Sequence, residues 1–102
     1  MIDHVTVPVL DYRRSKAFYA EALRPLGYVV LLDWHEERRA YLGLPGRPSS
    51  LWLVEAGRAG GVQLCLAAPS PEAATAFGDV LVDPDGNAIE VVYRAETELR
   101  AA

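Results

Sequence analysis

The sequence has a single cysteine, Cys65, which excludes an internal disulfide and any zinc site built from several thiolates. Cys65 lies in the apolar run Val62 to Ala68 and is expected to be a buried, inert thiol. No apolar run approaches the roughly 20 residues that a membrane-spanning helix needs. The opening Met-Ile-Asp-His has no basic stretch ahead of an apolar one, so no secretory signal is read there and the cytoplasm is the expected compartment. Positive charge is also scarce: ten basic residues against fourteen acidic give a formal charge of −4. That balance repels nucleic acid and anionic lipid unless the basic residues cluster. Arg13, Arg14 and Lys16 lie close together, as do Arg38 and Arg39, but acids sit near each group and both read as solvated faces. Neither nucleic acid nor membrane is an expected partner.

What is present is the balance of a small globular domain. Hydrophobic residues make up 51% and charged residues 24% of 102 positions, enough apolar material to offset the entropy of ordering one domain. Ile2 to Val9 alternates in the manner of a strand. Asp11 is a natural helix cap, and Ser15, Phe18, Tyr19, Ala22, Leu23 and Leu26 form an amphipathic stripe that Pro25 and Gly27 end. Strands are expected at Tyr28 to Trp34, Arg38 to Leu42 and Leu51 to Glu55, with a Gly- and Pro-containing connection from Gly43 to Ser50. A glycine-rich linker, residues 57–61, precedes a strand at Val62 to Ala68. Ser70 and Pro71 then open a short helix through Phe77. Asp79 to Val82 and Ala88 to Tyr93 pair through the turn Asp83-Pro84-Asp85-Gly86-Asn87, where aspartates cap backbone amides and Gly86 supplies positive φ.

The two halves read as copies of one β-α-β-β-β unit. A shift of 59 positions lays His4 on Gln63, Val5 on Leu64, Val7 on Leu66 and the cap Asp11 on Ser70. The last strands align at an offset of 38, with Trp52 on Glu90. The second copy is therefore shorter, by about one strand and part of its helix. A single domain, 1–102, is expected: first unit 1–56, linker 57–61, second unit 62–95 and a tail 96–102.

This tandem repeat resembles the vicinal oxygen chelate superfamily, which includes glyoxalase I, extradiol dioxygenases and bleomycin-resistance proteins. The resemblance is carried by Ile2-Asp3-His4-Val5, Ser15-Lys16-Ala17-Phe18-Tyr19, Pro25-Leu26-Gly27-Tyr28 and Leu66-Ala67-Ala68-Pro69. Val82-Asp83-Pro84-Asp85-Gly86-Asn87-Ala88-Ile89-Glu90 is its most specific segment. It implies an α+β fold in which tandem βαβββ modules form a cupped mixed sheet around a small-molecule site. It also implies a divalent metal (Fe, Mn, Ni, Co or Zn) on His4, Gln63 and Glu90, with Glu90 the candidate catalytic carboxylate and no organic cofactor. Gln63 stands where dioxygenase-like members carry His, and Trp52 where glyoxalase-like members carry a carboxylate.

Strand parity tests these positions without the family. His4 shares a face with Ile2 and Thr6, Gln63 with Cys65 and Ala67, and Glu90 with Ala88 and Val92. Each is a polar group on an otherwise small or apolar face, and a carboxylate there calls for a partner or a cation. A mixed set of one imidazole, one amide oxygen and one carboxylate leaves coordination positions open for two adjacent substrate oxygens. Trp34, Tyr41 and Trp52 are candidate lining for an apolar pocket, or ordinary packing. His35 reads as a surface residue. Three readings follow: a metal-dependent lyase, isomerase or dioxygenase acting on a small oxygenated compound, a metal-free protein that binds and sequesters a small molecule, or a degenerate unit whose fold persists without a site. An open sheet edge on so short a chain also predicts a homodimer.

Overall fold

In the computed structural model residues 2–95 are described, and the expected tail from residue 96 lies outside them. Each half begins with a strand and a capped helix. β1 (Val5–Val9) leads into α1 (Tyr12–Ala22), where the Asp11 carboxylate accepts from the Arg13 and Arg14 amides, and a 3-10 turn, Arg24–Leu26, follows. Gly27, at φ 87°, turns the chain out of this segment, a conformation that costs glycine little. β2 (Val29–Trp34), β3 (Arg39–Gly43) and β4 (Leu51–Glu55) complete the first unit. The second unit holds β5 (Gln63–Ala67), α2 (Pro71–Phe77), the two-residue β6 (Leu81–Val82) and β7 (Ala88–Val92). The Ser70 hydroxyl caps α2 by accepting from the Ala73 amide.

Among the described residues seven strands form two mixed sheets, one in the order β1-β4-β3-β2 and one in the order β5-β7-β6. In each, the first and last strands of the unit pair in parallel. The two ladders repeat at the offsets read from the sequence: Thr6 opposite Trp52 corresponds to Cys65 opposite Glu90, and Val5 opposite Leu51 to Leu64 opposite Ile89. β1 and β5 are both edge strands with one hydrogen-bonded neighbour.

One face of each sheet is buried and the other is open. Val7, Val9, Ala40, Leu42, Leu51 and Leu53 are buried together with Tyr19 and Leu23 of α1, and Leu64, Phe77 and Ile89 of the second unit join the same core. The expected strand starting at Ile2 begins only at Val5, because Ile2 and Asp3 stand beyond the end of the β4 ladder and Ile2 is exposed. Cys65 corrects its own expectation: it is exposed, since the alternation that buries Leu64 turns its neighbour to the open face. No helix among the described residues is long and apolar enough to cross a membrane.

The turn between β6 and β7 holds the units together. Asp83 is only 4% exposed. Its carboxylate accepts from the Asp85 and Asn87 amides, the Asn87 side-chain amide and, across the unit boundary, the Tyr19 hydroxyl of α1. Asp85 reaches the same helix from the other side, accepting from the Ser15 hydroxyl and pairing with Arg14, each at 3.4 Å. Burial pushes the Asp83 carboxyl up, but the four donors outweigh it and hold the group below the ordinary carboxylate value.

Candidate functional site

The open face of the first sheet carries aromatic rings in sequence-determined register. Tyr41 stands opposite both Trp52 and Leu32, and Trp34 opposite Arg39. A register shift between Val30 and Leu32 in β2 keeps Leu32 and Trp34 on this face. Side chains opposite one another on neighbouring strands meet, and here they form one row. His4 stacks on Trp52 with ring centroids 3.3 Å apart and an interplanar angle of 10°. Trp52 stacks on Tyr41 at 4.1 Å and 1°. Trp34 meets Tyr41 edge-to-face at 4.8 Å and 88°. The row therefore runs from the residue just before β1 across β4 and β3 to β2. Tyr41 is buried within it, whereas Trp34 is 39% exposed.

Polar contacts hold three of its members. The His4 Nδ1 lies 2.9 Å from Asp3 Oδ2, and the Trp52 indole N–H donates to the Ser49 hydroxyl at 3.1 Å. Arg39 donates from a terminal nitrogen to the Tyr41 hydroxyl at 3.4 Å. Its Nε is buried and has no hydrogen-bond partner. Beside Trp34, the turn between β2 and β3 encloses a hollow of about 310 Å3 lined by Asp33, His35, Glu36 and Glu37. Asp33 is neutralised from behind by Lys16, which donates at 2.6 Å, and by the Tyr12 hydroxyl, and these two bonds lower its pKa. His35 is exposed, as read from the sequence, with Arg13 against its ring nitrogens.

On the open face of the second sheet, the Gln63 side-chain amide donates to Glu90 Oε1 at 2.8 Å. This pair occupies the positions equivalent to His4 and Trp52 in the first unit. The structure thus brings Gln63 and Glu90 together, while the partners of His4 are Asp3 and Trp52. Among the described residues, no three or more His, Cys, Asp and Glu side chains form a group able to hold a metal ion. One residue of the first site escapes a reading by charge grouping. Arg39 looks like half of a solvated pair with Arg38, yet Arg38 bonds Glu55 on the opposite side. The signal was parity: Arg39 lies two positions before Tyr41 and so shares its face.

Neither protein-family models nor curated proteins give a match to the chain. Solved structures do. A glyoxalase/bleomycin resistance protein from Albidiferax ferrireducens superposes with a TM-score of 0.70 at 25% identity, over 91% of this chain and 98% of that one. The trypanothione-dependent glyoxalase I of Leishmania major gives 0.62 at 21% identity, over 99% and 91%. A bleomycin-binding protein in complex with bleomycin gives 0.59 at 16% identity, over 88% and 95%. The fold is that of the vicinal oxygen chelate superfamily, shared by glyoxalase I and the bleomycin-resistance proteins.

Proposed function

We propose that this protein binds a small, planar ring compound on the aromatic row of its first sheet and holds it without transforming it. The observation that carries this reading is the His4–Trp52–Tyr41–Trp34 row on an uncovered sheet face. Exposed Trp34, with half-buried His4 and Trp52 along the row, gives a ring ligand apolar contact, with about 0.5–1.5 kcal/mol more for each well-placed ring pair. The likeness to a bleomycin-binding protein supports the same use of the fold. A second copy of the chain completes the site: the edges of β1 and β5 and the open faces of both sheets are surfaces a partner copy would cover. Titration with planar compounds of one to three fused rings, followed by quenching of Trp34 and Trp52, tests the binding. Saturable quenching that weakens about tenfold or more in Trp34→Ala is expected. No saturable quenching with any of them would contradict the reading.

A second reading places a divalent metal on His4, Gln63 and Glu90. One observation favours it: the Asp3 carboxylate anchors His4 at Nδ1 and leaves Nε2 without a hydrogen-bond partner, the arrangement usual for a metal-ligating imidazole. Such an ion would polarise a carbonyl as a Lewis acid, with Glu90 as the nearby carboxylate. Micromolar binding of Mn(II), Ni(II) or Zn(II), lost in both His4→Ala and Glu90→Ala, would establish it; no binding would remove it.

A further inference from the structure

We infer that the ring compound is an anion, and that Arg39 selects it. This rests on the proposed ring-binding face and names the charge of its ligand. A buried donor without a partner is uncommon in folded proteins, because losing water without a replacement costs free energy. Arg39 Nε is such a donor. It belongs to a side chain held by the Tyr41 hydroxyl, directly across the ladder from the exposed Trp34. A carboxylate or phenolate on a ring lying against Trp34 would meet the guanidinium from the open face, and a swing of the Arg39 side chain, whose Nε is shut off from solvent as it stands, would give that nitrogen its acceptor. A guanidinium also offers paired N–H groups in one plane, which match a carboxylate better than a carbonyl.

The acids of the adjoining turn argue for a cationic ligand and must be weighed. Asp33 is occupied by Lys16 and Tyr12. Glu36 and Glu37 are exposed, where water and salt screen them. The Tyr41 hydrogen bond and, more weakly, the field of Glu37 raise the pKa of the Arg39 guanidinium, and Glu37 makes no hydrogen bond to it. The solvent-free nitrogen faces a larger desolvation cost than the exposed carboxylates do, so it dominates the choice.

The test uses three probes of one shape: 2-naphthoate, neutral 2-naphthamide and cationic 2-naphthylmethylammonium, titrated into the intact protein by tryptophan quenching. The naphthoate should bind about tenfold or more tightly than the amide. Arg39→Gln should abolish that preference, and Arg39→Lys should restore part of it. Tyr41→Phe, which keeps the ring but loosens the guanidinium, should reduce the preference without removing amide binding. Equal binding of naphthoate and amide, tighter binding of the cation, or a preference that survives Arg39→Gln would overturn the inference and leave the ring site standing. Failure of all three probes to bind would overturn both. Circular dichroism melting curves of the variants, matched to the parent, keep loss of fold apart from loss of recognition.

Discussion

Tyr19 reaches from the first unit to the buried carboxylate of Asp83 in the second, and its hydroxyl ties the halves together at their shared core, beside the bonds of Asp85 to Ser15 and Arg14. Removing it in Tyr19→Phe should cost about 1–3 kcal/mol in urea unfolding, the usual consequence of stripping one donor from a buried charge. Asp83 also makes stability depend on acid. Its folded pKa lies below the ordinary 3.8, so its contribution is full above the unfolded value and is lost as pH falls through the folded one. Asp83→Asn should therefore be less stable than the parent at neutral pH, with the gap closing below about pH 4. A gap that stays constant down to pH 2 would show that the carboxylate charge is not involved. The turn role of Asp83 was legible in the sequence, because Asp-Pro-Asp-Gly-Asn explains itself locally. Its reach to Tyr19 was not, since nothing local specifies a contact across 64 positions. Trp34, Tyr41 and Trp52 could be named from the sequence as candidate lining, but their stacking depends on strand register. Parity puts Arg39 on the face of Tyr41, but its unsatisfied nitrogen and the anchoring of His4 by Asp3 emerge only from side-chain geometry.

At the level of elements the sequence was more informative. β4 and α2 have the boundaries that alternation and the Ser70-Pro71 start imply, and the repeat offsets reproduce the pairing of both parallel ladders. Periodicity succeeds here because each element buries one face, which ties side-chain order to backbone geometry. It says less about the glycine-rich linker, where no face is buried. Gly60 lies at φ 96°, and a Cβ there would sit 2.9 Å from the Asp85 carbonyl oxygen; a Cβ at Gly57 would meet nothing within 4 Å. Gly60→Ala should consequently destabilise the fold by about 1–3 kcal/mol, while Gly57→Ala should stay within about 0.5 kcal/mol of the parent. Equal thermal midpoints for the two variants would mean that the linker does not bear on the turn.

Among the described residues, the two sheets leave one face each and the edge strands β1 and β5 without cover. Trp34, Val82 and Leu32 are among the large apolar side chains left exposed, and apolar patches beside open strand edges are surfaces on which chains associate. Light scattering should accordingly give twice the 11.2 kDa mass of the chain, and a mass that stays at one chain across the micromolar range would contradict pairing. The conversion of fold into function meets its most direct test at the two tryptophans. Each contributes one indole N–H resonance, and the ring site predicts that both shift saturably, with a common dissociation constant, when 2-naphthoate is added to the 15N-labelled protein. Shifts confined to residues of the second sheet, with both indole signals unmoved, would contradict it.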